Sequence, residues 1–223
     1  MVELVLASQS PRRRELITLL GYPVRAVSAD VDESLVDEPD PAVNVVGTAR
    51  LKAVKIAKQW QRLNVDGGVV VVAADTTVAL GDEMLGKPID AADARRMLRS
   101  LRGRPHKVHT GVVLMALDSG REVSGVNTAV VTMRDYSDAE IEAYVASGNP
   151  MDKAGAYAIQ HPTFRPVARL DGCFTGVMGL SVCHLLQLFA QLGLAMQADL
   201  TAVAAAHQHF SCQLLDEIIG RSR

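Results

Sequence analysis

Residues 69–74 form an uninterrupted run of four valines and two alanines, preceded by Gly67-Gly68 and followed by Asp75. Such a run is typical of a β-strand that is buried on both faces. Ligands collect beyond the carboxyl ends of such strands in open α/β sheets, so Asp75 is a candidate metal ligand or base. The alternative is a turn aspartate that only ends the strand.

Strand-like and helical patterns alternate through the rest of the chain. The predicted strands cover residues 4–7, 24–29, 106–115, 121–132 and 157–160. The predicted helices cover residues 11–20, 41–63, 91–101, 138–145 and 185–194, and an alanine-rich helical segment follows from Met196. A chain of 223 residues in this mixed order suits one large α/β domain or two small lobes around a common cleft.

Composition narrows the choice of compartment and partners. The formal net charge is −2 and 48% of the residues are hydrophobic, so no overall charge favours binding to nucleic acid or to a membrane. The apolar segments are too short for a signal peptide or a membrane span. We therefore expect a cytoplasmic protein with no nucleic-acid or membrane partner.

The three cysteines, Cys173, Cys183 and Cys212, are too few and too unevenly spaced for a disulfide framework. A zinc site drawn from Cys183, His184, His207 and Cys212 would need adjacent ligands at 183 and 184, which is not the spacing of structural zinc sites. The sequence therefore favours three reduced, buried thiols.

The segment Ser8-Gln9-Ser10-Pro11-Arg12-Arg13 joins the first predicted strand to the first predicted helix. Ser10 is a typical N-cap, and proline is favoured in the first helical position. Free backbone N–H groups, the positive end of the helix dipole and two arginines would meet there, which predicts a phosphate site. The alternative is an ordinary capped helix with a solvated basic first turn.

Two lysines are further candidates. Residues 81–88 have the spacing of a P-loop as far as Lys87, but Pro88 has neither the hydroxyl nor the N–H that a P-loop needs. As a hairpin with a two-residue turn at 81–82, the same stretch would place Lys87 opposite Thr76 and beside Asp75. Lys52 falls inside the helix predicted over 41–63, and either lysine could instead be a solvated side chain.

Ordered motifs along most of the chain resemble those of the Maf nucleotide pyrophosphatases, the septum-formation-inhibitor-like group. The resemblance covers roughly residues 4–194. Its motifs are Ser8-Gln9-Ser10-Pro11-Arg12-Arg13, Asp32-Glu33-Ser34, Ala49-Arg50-Leu51-Lys52-Ala53, Ala74-Asp75-Thr76, Gly86-Lys87-Pro88, His106 with Thr110-Gly111, and the run 152–160 from Asp152 to Gln160.

The resemblance implies an α/β fold with a long, mixed, twisted sheet, flanking helices and two lobes around a deep cleft, as in the inosine-triphosphatase-like proteins. It also implies hydrolysis of nucleoside triphosphates to monophosphate and pyrophosphate, a divalent cation (Mg²⁺ or Mn²⁺) and a homodimer. Residues 1–195 would form this domain, and residues 196–223 would be a helical extension with no counterpart in the family.

Carried over residue by residue, the resemblance gives each candidate a role. The carboxylates of Glu33 and Asp75 would hold the metal, and Asp75 would accept the proton of the attacking water. The hydroxyl and cationic groups that would hold phosphates belong to Ser8, Arg12, Arg13, Lys52 and Lys87, of which Lys52 and Lys87 would also take part in catalysis.

The resemblance also implies a substrate, because the pyrimidine-selective branch of the family matches this chain at Arg12, Thr76 and Gln160. A glutamine amide can donate to the O4 of uracil or thymine and accept from its N3–H, whereas a carboxylate can only accept. We therefore expect dTTP and UTP as substrates. The segment 161–166 contains two prolines where the family has glycines, which leaves the choice among pyrimidines or modified bases open.

Two other kinds of function remain open at this point. The chain could be a nucleotide-binding regulator of septum formation and cell division that needs no catalysis. It could also act on a modified nucleotide such as 7-methyl-GTP, or on another phosphate ester, because a fold does not fix the chemistry. Retention of both carboxylates and all the phosphate-binding cations favours the enzyme, since a sensor does not need a water-activating aspartate.

Overall fold

The computed structural model describes residues 2–62 and 68–221. The strands in these ranges are β1 (Glu3–Ala7), β2 (Val24–Val27), β3 (Val69–Leu80), β4 (Glu83–Leu85), β5 (Pro105–Ala116), β6 (Glu122–Met133) and β7 (Val167–Asp171). The α-helices are α1 (Pro11–Thr18), α2 (Pro41–Arg62), α3 (Ala91–Leu101), α4 (Asp138–Ala146), α5 (Phe174–Met178), α6 (Val182–Leu192), α7 (Leu200–Ala205) and α8 (Gln213–Arg221). Short 3₁₀ helices lie at Glu33–Leu35, Asn149–Asp152 and Ala154–Ala156.

The strands form one mixed sheet in the order β2-β1-β3-β5-β6-β7, with β4 paired to β3. β1 is parallel to both β2 and β3, and the other pairs are antiparallel. Three of the strands, β3, β5 and β6, are 12 residues long. The predicted α/β class with a long mixed sheet and flanking helices is therefore confirmed.

The valine run of β3 is buried on both faces, as its sequence predicts. Val70 and Val72 pack in one hydrophobic cluster with residues of α1, α6 and α8. Val71 and Ala73, which point to the opposite face, pack in a second cluster with α2. From Val78 onward the strand belongs to a third cluster that includes α3 and α4.

Asp75 does not end β3, and this expectation was wrong. The strand continues to Leu80, and β5 pairs with it without interruption from Val70 to Ala79. Three of the residues after Asp75 are β-branched, which favours a continued strand. Asp75, Thr76 and Thr77 therefore interrupt an apolar strand at its middle, between the first two clusters and the third.

The edge of β3 that faces away from β5 explains why polar residues can lie in the middle of this strand. On that edge β1 pairs with residues 69–72 and β4 pairs with residues 78–80. Within the described residues no strand covers positions 73–77 on this side, so the edge opens beyond the carboxyl end of β1. The rule that ligands collect at carboxyl ends applies here to β1 rather than to β3.

The predicted hairpin is present, with Leu80 paired to Glu83. The pairing stops at Leu85, however, so the expected pairing of Thr76 with Lys87 is wrong. Instead of extending the strand, the carbonyl of Gly86 accepts a hydrogen bond from the N–H of Gly155 in the last 3₁₀ helix. A segment from far along the chain therefore takes the place of the last strand residues.

Several other boundaries differ from the prediction. Residues 157–160 were predicted as a strand, but only Tyr157 has an extended backbone, and Ile159 and Gln160 form a turn, after two residues with positive φ, Gly155 and Ala156. The tail is not one helix: α7 and α8 are separate, and His207 lies between them. The sequence analysis missed β7 and α5. Leu63, at the end of the helix predicted over 41–63, lies outside the described residues, as do Gly67, Ser222 and Arg223.

No helix in the described ranges has both the length and the apolar character needed to cross a membrane.

Candidate active site

One cavity of about 910 Å³ opens at the gap on the edge of β3. Its lining includes all nine candidate site residues predicted from the sequence, which come from seven separate parts of the sheet, helices and loops. They are Ser8, Arg12, Arg13, Glu33, Lys52, Asp75, Thr76, Lys87 and Gln160. The fold therefore brings the whole predicted set into one space.

Lys52 is at the centre of an ion cluster in this cavity. Its Nζ lies 2.7 Å from Oδ1 of Asp75 and 2.8 Å from Oε1 of Glu33. The side chains of Lys52 and Asp75 are only 10% and 16% exposed, whereas that of Glu33 is 57% exposed. Two carboxylates of different accessibility thus converge on one positive centre, the first on a rigid strand and the second on a 3₁₀ helix near the surface.

Lys52 reaches the cluster because α2 packs very closely on β5. Gly111 of β5 pairs with Asp75, and a Cβ at Gly111 would lie 2.5 Å from the carbonyl carbon of Val45 in α2. Glycine is therefore the residue that allows this approach. Lys52 lies about two turns after Val45, on the buried side of the same helix.

Arg13 is held by the backbone and by Thr76. Its Nε donates to the carbonyl of Gly179 at 2.7 Å, and its Nη2 donates to Oγ1 of Thr76 at 3.2 Å. Thr76 also lies 3.0 Å from Oγ1 of Thr110, which donates to the carbonyl of Gly176. Burial lowers the pKa of the Arg13 guanidinium, and the nearby Asp75 carboxylate partly offsets that effect.

Arg12 points to a different wall of the cavity. Its Nη1 lies 2.9 Å from Oδ2 of Asp152, whose other oxygen contacts Lys153. Desolvation acts to raise the pKa of Asp152, but hydrogen bonds from Lys153 and Arg12 outweigh it, so this pKa is lowered. The two neighbouring arginines therefore have separate partners.

The turn after β1 has the predicted cap. The N–H of Arg13 donates to Oγ of Ser10, and the N–H of Ser10 donates to Oγ of Ser8 at 3.2 Å. Pro11 is the first residue of α1. The start of this helix faces the cavity, because Ser8, Ser10 and Arg12 are all in its lining.

Lys87 and Gln160 lie on loops at the cavity wall. Lys87 is exposed and follows β4, while Gln160 is half-buried in the turn after Tyr157. The Tyr157 hydroxyl lies 2.8 Å from Nε2 of buried His106. That contact fixes the start of the turn that carries Gln160.

The sequence analysis did not assign roles to Asp152 and Lys153, although both lie in a quoted motif and line the cavity. The sequence feature that could have identified them is the charged pair itself, directly before the small residues 154–156.

The cavity lining as a whole contains five cationic side chains and four carboxylates. The cations are Arg12, Arg13, Lys52, Lys87 and Lys153, and the carboxylates are Asp30, Glu33, Asp75 and Asp152. Such a lining can bind a polyanion together with a cation.

A family model and individual proteins of known name both match this chain over most of its length. The family model described as "Maf-like protein" matches residues 3–192. A "dTTP/UTP pyrophosphatase" of Dictyoglomus thermophilum is 39% identical over 195 residues, which cover 87% of this chain and 98% of that protein. Proteins of the same name from Anaeromyxobacter dehalogenans and Chromobacterium violaceum are 44% and 43% identical, over 85% and 84% of this chain and 94% and 93% of theirs.

Among solved structures, the chain is similar to the Staphylococcus aureus Ham1 protein with 16% identity, over 86% of this chain and 99% of that one. The TM-score is 0.43.

Proposed function

The chain belongs to the Maf family, and from this premise we propose that it hydrolyses nucleoside triphosphates to nucleoside monophosphate and pyrophosphate. The observation that carries the proposal is the ion cluster of Asp75, Lys52 and Glu33 inside a cavity with further cations. Hydrolysis between the α- and β-phosphates needs a base for the attacking water and positive groups for the leaving pyrophosphate. The cavity contains both kinds of group.

In the proposed reaction, a water oxygen attacks the α-phosphorus and the bond from this phosphorus to the bridging oxygen breaks. Asp75 accepts the proton of the water. Its position on β3 and its bond to Lys52 keep the carboxylate oriented for this transfer. Arg13, Lys87 and the N-terminus of α1, which includes Arg12, bind the phosphate oxygens and the leaving pyrophosphate.

The donor set also suits a divalent cation. The oxygens of Glu33 and Asp75 converge on a single positive centre, the ammonium of Lys52, and carboxylate oxygens are the ligands that Mg²⁺ and Mn²⁺ prefer. We propose that Glu33 and Asp75 hold this cation. When bound, it neutralises charge on the phosphate oxygens.

For the substrate, we propose dTTP and UTP. The similar proteins carry that activity in their names, and Gln160 in the cavity wall offers both a donor and an acceptor for the O4 and N3–H of a uracil or thymine ring. Arg12 and Thr76 contribute to the choice of base. The homodimer and the cytoplasmic location stay predictions.

A panel of nucleoside triphosphates tests the proposal. The full chain is incubated with each triphosphate and Mg²⁺ or Mn²⁺, and monophosphate and pyrophosphate are measured together. We expect equal amounts of the two products, with dTTP and UTP turned over fastest.

Each of the other outcomes would contradict a different part of the proposed function. Preference for 7-methyl-GTP would overturn the choice of pyrimidines, and release of orthophosphate would overturn the bond that is cleaved. Binding without turnover across the panel would favour the nucleotide-binding regulator.

A further inference from the structure

Four potential metal ligands meet in the core, away from the cavity described above. They are the thiols of Cys173, Cys183 and Cys212 and the imidazole of His207, and their ligand atoms all lie within 4.8 Å of one another. All four residues are buried, with at most 4% of their surface exposed. In the described part of the chain, the lining of the catalytic cavity includes none of them.

Three of the six separations between the ligand atoms are close to the edges of a zinc tetrahedron, and the other three are at most 4.8 Å. Zn–S bonds of about 2.3 Å and Zn–N bonds of about 2.0–2.1 Å require S···S edges of about 3.8 Å and S···N edges of about 3.6 Å. The sulfurs of Cys183 and Cys212 are 3.9 Å apart, and Nε2 of His207 is 3.4 Å from the sulfur of Cys173 and 3.5 Å from that of Cys183. A sulfur separation of 3.9 Å also excludes a disulfide in this arrangement.

The imidazole of His207 is oriented as a ligand would be. Its Nδ1 lies 2.8 Å from the backbone carbonyl of Val203. Because a carbonyl can only accept, Nδ1 carries a proton, and Nε2 is the nitrogen that faces the sulfurs, where a neutral imidazole would offer its lone pair to a metal. Metal-bound histidines are usually held in this way by a carbonyl or carboxylate on the second nitrogen.

The positions of two of these cysteines at helix starts suit thiolates as well as thiols. Cys183 is in the first turn of α6, and Cys212 directly precedes α8, so the positive ends of two helix dipoles lie next to these sulfurs. These dipoles would help to offset the single negative charge left when three thiolates and one neutral imidazole bind Zn²⁺.

We propose that Cys173, Cys183, His207 and Cys212 bind one structural Zn²⁺. Four protein ligands with tetrahedral spacing make a closed site, which indicates a structural rather than a catalytic metal. Binding would release the three thiol protons to solvent. The sequence analysis considered a similar set but included His184, which bonds to Ser181 instead, and it omitted Cys173.

The position of the site explains what the metal would do. Cys173 and Cys183 lie within the family match, which ends at residue 192, whereas His207 and Cys212 lie beyond it. The zinc would therefore tie the C-terminal segment to the family core. Cys173 also occupies the N-cap position of α5, without a capping bond, and the carbonyl of Gly179 at the other end of α5 accepts a hydrogen bond from Arg13 in the catalytic cavity.

Metal analysis of the full chain tests this proposal. The protein is purified under reducing conditions without chelator, and zinc is measured by elemental analysis and native mass spectrometry. We expect one zinc per chain. After exchange, Co²⁺ should show the thiolate charge-transfer and visible bands of a tetrahedral sulfur site.

Variants separate this site from the rest of the molecule. Cys212→Ser and His207→Asn should lose the zinc, whereas His209→Asn, an exposed histidine in the same segment, should retain it. Asp75→Asn should also retain it, because Asp75 belongs to the catalytic cavity. If the ligand variants do not fold, the wild-type protein still tests the proposal. A chelator should lower its melting temperature, and added Zn²⁺ should restore it.

Three results would overturn the proposal. The first is a metal-free protein with three titratable thiols that does not take up added Zn²⁺. The second is a disulfide between any two of these cysteines in the native protein. The third is zinc that is lost in Asp75→Asn but retained in Cys212→Ser. The first two results would not bear on the proposed hydrolysis, which is measured separately, whereas the third would place the zinc at the proposed cation site of Asp75.

Discussion

Lys52 holds two carboxylates at once, and this arrangement determines what the loss of either one would do. Asp75 is the less exposed of the two and lies on the central strand. Asparagine has nearly the same shape, so Asp75→Asn should leave the fold intact and leave Lys52 paired with Glu33. We expect kcat to fall by at least about 100-fold, because the base is lost.

Pyrophosphate release and a melting curve check this prediction. Asp82→Asn, an exposed aspartate in the hairpin turn, is the matched control and should change neither. Near-normal turnover in Asp75→Asn would remove this residue from the mechanism.

Arg12 and Arg13 should differ in their effects, since one contacts Asp152 and the other contacts Gly179 and Thr76. Arg13→Ala should raise KM for every triphosphate by about tenfold or more, the usual cost of losing a charged hydrogen bond. It should also reduce stability, because the Gly179 carbonyl loses its donor. Arg12→Ala should instead change the ratio of kcat/KM between dTTP and a purine triphosphate.

Steady-state kinetics with both classes of nucleotide measure this division. Arg14→Ala, an exposed position on the same helix, is the control. If Arg12→Ala reduced the kcat/KM of all substrates equally, Arg12 would bind phosphate only and would have no part in the choice of base.

Buried His106 gives the protein a predicted pH dependence. Burial lowers the pKa of His106 to about 4, whereas an unfolded histidine titrates near about 6.5. Below that pH the unfolded chain binds a proton that the folded protein does not. Stability is therefore lost as the pH falls from about 6.5 to about 4, by about 2 kcal/mol between pH 7 and pH 5 for this residue alone.

Urea unfolding at pH 7 and pH 5 measures the effect. In His106→Gln the difference between the two pH values should shrink by about this amount, because the titrating group is gone. The His209→Gln control should keep the full difference. An unchanged difference in His106→Gln would show that His106 is not neutral in the folded protein or that other groups dominate.

At the residue level, the sequence predicts the members of the site better than their contacts. The nine candidates line one cavity, because motif residues that are far apart in the chain meet at the edge of β3. The partner of Arg12 was not predicted, since it is 140 positions away and depends on the 3₁₀ turn before residue 153. The cysteine cluster was considered with His184 in place of Cys173 and set aside, and its actual members were not predicted because they come from segments that only the fold brings together.

At the level of elements, local signals predicted the caps and turns well. Ser10 caps α1 and Gly81-Asp82 forms the hairpin turn, as predicted, and residues of the same polar type, Asp90 and Ser137, cap α3 and α4. The elements that were not predicted form because of tertiary contacts and not because of local sequence signals. Helix α5 has five residues, including a glycine, and its N-cap side chain makes no capping bond, so the sequence contains no start signal.

The contact between α2 and β5 can be tested at Gly111. Gly111→Ala would place a Cβ 2.5–2.7 Å from backbone atoms of Val45 and Val46, which cannot move without the helix. We expect a loss of about 1–3 kcal/mol in the free energy of unfolding. Because α2 carries Lys52, kcat should fall as well.

Denaturant unfolding and turnover are the measurements. Gly220→Ala is the control, because no heavy atom lies within 4 Å of its added Cβ. A Gly111→Ala protein with unchanged stability and activity would show that the helix and strand separate easily.

For the whole molecule, the division at residue 195 stays a prediction, and the packing of the tail makes it testable. Val203, Leu215 and Ile218 are buried in the same cluster as Leu4 and Leu186. Burying each such side chain contributes about 1.5–3 kcal/mol. A chain that ends at residue 195 should therefore be less stable than the full chain by several kcal/mol.

The melting temperatures of the two proteins decide this point, with a chain shortened only by residues 222–223 as the control. A chain of residues 1–195 that melted at the same temperature as the full protein would show that the tail is an independent extension.

The gap on the edge of β3 has a consequence for redesign. The carboxylate proposed to accept the proton of the water lies on β3, which β5 pairs without interruption from Val70 to Ala79, whereas the proposed base-reading amide of Gln160 lies on a turn between loops. If Gln160 reads the base as proposed, we expect changes confined to residues 158–165 to alter which nucleobase fits while the proposed reacting groups stay in place. A library restricted to this turn is therefore a direct route to pyrophosphatases for other nucleotides.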